Sequence, residues 1–280
     1  MPNAVIRARG LAKRYGDAVA LRSVDLDVQH GEIFSLLGPN GAGKTTTTEI
    51  MEGFRTRDAG ELSVLGEDPA RAGAAWRGRI GIVLQQAKDF ADISVADVVH
   101  HFAVYYPNPR DPDEVIDAVG LTEKRASRAA QLSGGQRRRL DVALGILGNP
   151  ELLFLDEPTT GFDPEVRRRF WELIAELRSS GTTILLTTHY LDEVEYLADR
   201  VGVVNGGTVV DVSTPDHLGG RHLAPSTVRW VGPDGPQEQV SSNPTRTVGE
   251  LARHFGGDVP ELTVTRPSLE DVYLQMIGES

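Results

Sequence analysis

Residues Gly38 to Thr45 read Gly-Pro-Asn-Gly-Ala-Gly-Lys-Thr and fit the pattern GxxxxGK(S/T). Glycines there let the chain curl so that successive N–H groups face phosphate oxygens, and a following helix adds its positive end. Lys44 then serves as a mobile cation for the β- and γ-phosphates, and the Thr45 hydroxyl as a Mg²⁺ ligand. A glycine-rich turn alone would mean little, but between a strand and a helix the pattern reads as ATP or GTP binding. A second set of groups ends the apolar run Leu152–Leu155, where Asp156 and Glu157 stand side by side. Side chains alternate along a strand, so the two carboxylates cannot share one task. Asp156 suits the Mg²⁺ shell, and Glu157 suits polarising a water in line with the γ-phosphate.

The run Leu132-Ser133-Gly134-Gly135-Gln136 leaves two readings open. Ser133 and Gln136 fit a capping box, which needs no function. The two glycines would also leave N–H groups bare at a helix start, a geometry that binds anions. Arg137-Arg138-Arg139 reads as a solvated helix face, and His100-His101, adjacent on a helix, diverge and suggest no metal pair.

These residues need a scaffold of alternating strands and helices. Glu32–Leu37 runs into the glycine loop and Thr45–Phe54 reads as the helix after it. Leu152–Leu155 and Thr183–Leu186 read as further buried strands, joined by a helix from Glu165 to Leu177 with apolar residues at helical spacing. Strand, helix, strand with apolar strands implies a parallel sheet covered on both faces, an α/β class. Ahead of it, Ala4–Ala8, Val19–Leu21 and Val24–Val28 read as short strands of an antiparallel β region. From about 86 to 148 helical patterns form an insertion, with helix starts at Ser94 and Asp111-Pro112. Val201–Val204 and Thr208–Val212 flank Asn205-Gly206-Gly207 as a hairpin. From Ser213 the prolines and short strand-like pieces change the character of the chain. The expected division is a catalytic domain over 1–212 and a small C-terminal α+β appendage over 213–280.

Composition narrows the function classes. The 280 residues carry 29 Lys and Arg against 40 Asp and Glu, a formal charge of -11, which is a poor electrostatic match for nucleic acid or an anionic bilayer. There is no cysteine, so thiolate metal sites, thiol nucleophiles and disulfides are excluded. Arg7 and Arg9 stand where a signal peptide would need its apolar stretch. No window approaches the ~18 to 20 unbroken apolar residues of a spanning helix, so direct membrane insertion is not expected.

With these residues in hand, the stretch from Ile6 to Val212 resembles the nucleotide-binding subunit of an ABC transporter, its motifs standing in the family's order and approximate spacing. The resemblance implies a P-loop NTPase core of the ABC ATPase type that hydrolyses ATP with Mg²⁺. It implies that Tyr15 stacks on adenine and that Gly38, Pro39, Asn40, Gly41, Ala42, Gly43, Lys44, Thr45 and Thr46 form the Walker A loop. Gln85, with Gln86 beside it as the alternative, is similar to the glutamine that joins the Mg²⁺ shell and links to the membrane partner. Ser133, Gly134, Gly135 and Gln136 belong to the signature LSGGQ, Asp156 to Walker B, and Glu157 to the position of the catalytic glutamate. Asp163 lies in the D-loop, and His189 matches the switch histidine. Phe162 departs from the family's usual leucine, a bulkier group that could alter dimer packing.

A finer resemblance is to the ATP-binding subunits of daunorubicin-resistance-type exporters, carried by Thr160–Pro164, Thr187–Glu193 and the ending Pro267–Leu274. The wider family resemblance implies head-to-tail pairing in which Ser133 and Gly135 of one copy meet the nucleotide held by Lys44 of the other, and the complete set of motifs in one chain favours a homodimer. The finer resemblance implies a separate integral membrane permease, placement at the cytoplasmic face of the cell membrane, and export of a small molecule such as a drug or antibiotic. The competing expectation is a soluble ABC ATPase that remodels a protein or cofactor-assembly complex without a permease.

Overall fold

In this computed structural model the described residues are 4–83 and 92–278, and the chain divides into two compact units, 1–212 and 213–280. The first unit opens with β1 (Ala4–Tyr15), β2 (Ala18–Gln29), β3 (Ile33–Leu37), α1 (Lys44–Met51), β4 (Ala59–Val64), α2 (Ala74–Arg77) and β5 (Ile80–Val83). A helical stretch follows, with α3 (Val95–Ala103), α4 (Pro112–Ala118) and α5 (Gly134–Ile146). The chain then returns to the sheet through β6 (Leu152–Asp156), α6 (Pro164–Ser179), β7 (Thr183–Thr188), α7 (Leu191–Leu197), β8 (Arg200–Asn205) and β9 (Thr208–Ser213).

These nine strands form one mixed sheet in the order β4-β1-β2-β9-β8-β3-β7-β6-β5. β3 lies parallel between β7 and β8, and β6 lies parallel between β5 and β7. Alternation along these buried strands separates two cores. Ile33, Leu153, Leu155, Ile184 and Leu186 pack with Phe170, Ile174 and Leu177 of α6, while Phe34, Leu36, Phe154 and Leu185 pack with Ile50 and Met51 of α1. The α/β expectation is met.

The short strands expected before β3 are instead two strands of 12 residues each, paired antiparallel around the Gly16-Asp17 turn. Register shifts along β1 absorb the breaks in alternation at Arg22-Ser23 that made the sequence look interrupted. The helix starts at Ser94 and Asp111 are observed. Ser94 Oγ accepts from the Asp97 N–H, and an Asp111 carboxylate oxygen accepts from Asp113 and Glu114 N–H groups, with Pro112 in the first turn.

The second unit holds β10 (Ser226–Gly232), β11 (Gly235–Ser241), α8 (Pro244–Phe255), β12 (Thr263–Thr265) and α9 (Leu269–Gly278). Its antiparallel sheet runs β11-β10-β12, and α9 packs on the 3-10 segment 218–223. A Cβ at Gly219 would lie 2.5 Å from Val272 Cγ1, so that close approach requires glycine.

Candidate nucleotide and hydrolysis site

Three parallel strands deliver the site. β3 ends at Leu37 opposite Thr188 of β7, and Thr187 stands opposite Asp156 of β6, so their carboxyl ends lie level at one edge of the sheet. Brackets of this kind, beyond the carboxyl ends of parallel strands, are where open α/β sheets bind ligands. From that edge emerge the loop from Gly38, the pair Asp156 and Glu157, and His189.

The loop has the form a phosphate cradle needs. A Cβ at Gly38 would sit 2.3 Å from the Val204 carbonyl oxygen, and one at Gly43 would sit 2.6 Å from Leu21 Cδ2 at a φ of +108°. α1 begins with Gly43 as N-cap and has no side-chain cap. Among the described residues, the N–H groups of Gly41, Gly43, Lys44 and Thr45 meet no acceptor, which leaves them for an anion at a helix start. Lys44 is buried, and its Nζ donates to Gly38 O at 2.7 Å and to Pro39 O at 3.2 Å. Burial holds its ammonium below the ordinary lysine range, while Glu157 and Asp156 act in the opposite direction. Thr45 is exposed at the same turn.

Asp156 accepts a hydrogen bond from the Thr187 hydroxyl. Glu157 follows in a left-handed conformation, φ +46°, which is strained for a residue with a side chain. Its N–H donates to Thr187 O at 3.0 Å, and its Oε1 lies 3.2 Å from Nδ1 of His189. The strand end therefore turns Asp156 and Glu157 to different sides, and it brings Glu157 to the histidine. Thr45 and Asp156 are the hard oxygen donors at this edge, the chemistry Mg²⁺ takes alongside phosphate oxygens. Gln85 and Gln86 lie outside the described residues.

At the signature, Ser133 caps α5. Its Oγ accepts from the Gln136 N–H at 3.3 Å, and Gln136 Oε1 accepts from the Ser133 N–H at 3.0 Å. The capping box is thus real, and the helix begins at Gly134. Asp163 caps α6 in the same way, accepting from the Glu165 and Val166 N–H groups. Phe162 is buried, edge-on to Phe170 at 5.7 Å and beside Gly135, so its extra bulk is taken up inside the fold. Tyr15 stands 42% exposed at the β1–β2 turn, with Lys13 Nζ and Arg55 Cζ each 5.6 Å from its ring centroid. The same hairpin touches the phosphate loop at Ala20 and Leu21.

The arginine run corrects the sequence reading. Arg138 is buried, its Nε donating to Pro158 O at 3.1 Å and its Nη2 to Asp156 O at 2.6 Å. Arg137 donates to Ala129 O, and Arg139 to Val119 O and Gly120 O. Arg138 is thus held inside the fold rather than solvated, while Arg137 and Arg139 stay half-buried on the helix and donate to these carbonyls. The signal was present in the helical period, because Arg138 stands four residues before Val142 on the buried stripe of α5.

A buried carboxylate also escaped the sequence. Glu193 of α7 has no exposure, and its Oε1 accepts from Thr159 Oγ1 at 3.0 Å and Trp171 Nε1 at 3.1 Å. Burial pushes its carboxyl up; Thr188 lies beside it, though without a hydrogen bond of ordinary geometry to Oε2.

Comparison with known proteins agrees with this geometry. The pattern of the ABC transporter family matches residues 21–160. The daunorubicin resistance ATP-binding protein DrrA3 of Streptomyces coeruleorubidus is 34% identical over 100% of this chain and 98% of its own length. The Nod factor export ATP-binding protein I of Bradyrhizobium diazoefficiens is 35% identical over 99% of this chain and 98% of its own. Among solved structures, an ATP-binding subunit of an ABC transporter covers 97% of this chain and 99% of its own at a TM-score of 0.73 and 22% identity. A dimeric ATP-binding cassette in a post-hydrolysis state with ADP and Pi covers 75% of this chain and 98% of its own, at a TM-score of 0.68 and 22% identity. These two likenesses show the fold.

Proposed function

Because the chain belongs to the ABC transporter family, we propose that it drives export of a small molecule through a permease carried on a separate polypeptide. The chain is a nucleotide-binding ATPase subunit. Among the described residues no helix is long and apolar enough to cross a membrane, which supports a permease on another chain; the likeness to export ATP-binding proteins supports a place for this one at the membrane's cytoplasmic face. The functions of these relatives, daunorubicin resistance and Nod factor export, support export of a small amphiphilic molecule.

The observation that carries the hydrolytic assignment is the contact of Glu157 with His189 at the level strand ends that also launch the Lys44 loop. Lys44 and the amides from Gly38 to Thr46 bind the triphosphate, and Tyr15 offers an aromatic face to the base. Thr45 and Asp156, with Gln85 as the further ligand the family resemblance implies, would hold a Mg²⁺ ion, which would supply charge neutralisation on the phosphates. Glu157 accepts the proton of the attacking water, and His189 orients Glu157 and the departing phosphoryl oxygens. Two copies pair so that Ser133, Gly134, Gly135 and Gln136 of one close on the nucleotide of the other, with Asp163 at the seam. Closure on ATP and reopening after hydrolysis reach the permease through the helical stretch that follows Gln85.

The test is to isolate the tagged full chain from its own membranes in mild detergent and identify what accompanies it by mass spectrometry. A polytopic membrane protein at a one-to-one ratio is expected. A soluble partner, with no membrane protein across several detergents, would overturn the export assignment and leave the ATPase chemistry intact.

A further inference from the structure

Glu157 sits in a left-handed backbone conformation that is strained for a residue with a side chain and persists only where neighbours over-determine it. On one side the restraint is Thr187, which accepts the Glu157 N–H through both its carbonyl and its hydroxyl. On the other side it is Arg138. Its guanidinium donates to the carbonyl before Glu157, that of Asp156, and to the carbonyl after it, that of Pro158. A planar fork with donors in fixed directions can span two such acceptors, which a lysine ammonium does less well. Arg138 belongs to α5, whose N-terminus is the Ser133 cap. One side chain thus joins the turn that carries Glu157 to the helix that carries the signature.

We propose that Arg138 is a positioning residue for ATP hydrolysis: by clamping the carbonyls on both sides of Glu157 it aims that carboxylate, and it ties the aim to the placement of the signature helix. This rests on the reading of Glu157 and Ser133 given under the proposed function. When the signature of one copy engages the nucleotide of a second copy, α5 takes a defined position, and Arg138 passes that position to the hydrolytic turn of its own site. The two nucleotide sites of a pair are then coupled through a contact within each chain. Burial lowers the affinity of the Arg138 guanidinium for its proton, while Asp141, Asp156, Glu157 and Glu193 act the other way, so the group keeps its charge among carboxylates that face it from α5, β6 and α7.

The test measures steady-state ATPase activity of the full chain against ATP concentration for wild type, R138M, R138K and E157Q, with ATP affinity and thermal midpoint recorded for each. R138M removes both donors at similar length. Loss of hydrogen bonds from a charged donor predicts a fall in kcat of about ten- to a hundred-fold with ATP affinity unchanged. The Hill coefficient should fall from near the two-site limit of about 2 towards about 1. R138K keeps the charge and one donor direction, so it should recover part of kcat and less of the cooperativity. A residue that merely stabilised the fold would lower the thermal midpoint and leave kcat and the Hill coefficient of the folded protein alone. If R138M does not fold, R138K decides the matter by the same two readouts. Parental kcat and cooperativity in the folded Arg138 variants would overturn the proposal while a stalled E157Q left the hydrolytic reading standing. An E157Q protein that hydrolysed ATP at the parental rate would instead overturn that reading.

Discussion

Replacing Glu52 with glutamine should stabilise the protein, and more so as the pH rises. Glu52 closes the C-terminal end of α1 and is 7% exposed. Burial pushes its carboxyl up from 4.5 to about 8, with Asp156 and Glu49 adding to the effect. Below the unfolded value both states hold the proton and the group has no effect. Between the two values the folded state keeps a proton that the unfolded state releases, so stability falls as pH rises, and above the folded value the deficit is constant. Integrating over the window from 4.5 to about 8 gives a deficit of about 1 kcal/mol at pH 5 and about 3 kcal/mol at pH 7. Glutamine mimics the neutral acid and removes this dependence. The assay is urea unfolding of the full chain and of E52Q at several pH values between 5 and 8, followed by the fluorescence of the buried Trp76 and Trp171. The gain in E52Q should grow across that range. A gain that did not change with pH, or a loss at pH 7, would refute the argument.

Further outcomes follow from local geometry. G38A should lose ATP binding in a fluorescent-nucleotide titration, because its Cβ would meet the Val204 carbonyl oxygen at 2.3 Å; G41A, with nothing within 4 Å and only a φ of +80° to satisfy, should cost about 1 to 2 kcal/mol of stability. W171F should lower stability by about 2 kcal/mol by removing the 3.1 Å bond to Glu193. Since the Glu193 carboxyl is already pushed up by burial, losing that donor raises it further, and the W171F deficit should widen as pH climbs above the ordinary glutamate range.

Contiguous motifs were legible in the sequence because each carries its chemistry locally. Gly38 to Thr45 contains its own turn, cation and helix start, and Asp156-Glu157 declares itself by ending an apolar strand. Ser133 and Gln136 were legible as a cap for the same reason, since both partners lie within one turn. The helical insertion was legible through its caps at Ser94 and Asp111. Residues whose role depends on distant strands were hidden. Arg138 stands on the buried stripe of α5, but the acceptors that satisfy its guanidinium, the carbonyls of Asp156 and Pro158, belong to a separate strand end and leave no local signal. The burial of Glu193 was hidden as well, because its partners Thr159 and Trp171 come from other parts of the chain. The unbroken length of β1 and β2 was hidden too, because bulges displace the alternation that marks a strand.

The most direct measurement of the central claim is sedimentation of E157Q with and without ATP and Mg²⁺, with K44A alongside. Slowed hydrolysis with binding intact should leave E157Q as a dimer holding two ATP when nucleotide is present and as a monomer without it, while K44A stays monomeric in both. An E157Q chain that binds ATP yet remains a monomer at every concentration would contradict a site completed by the signature of a second copy.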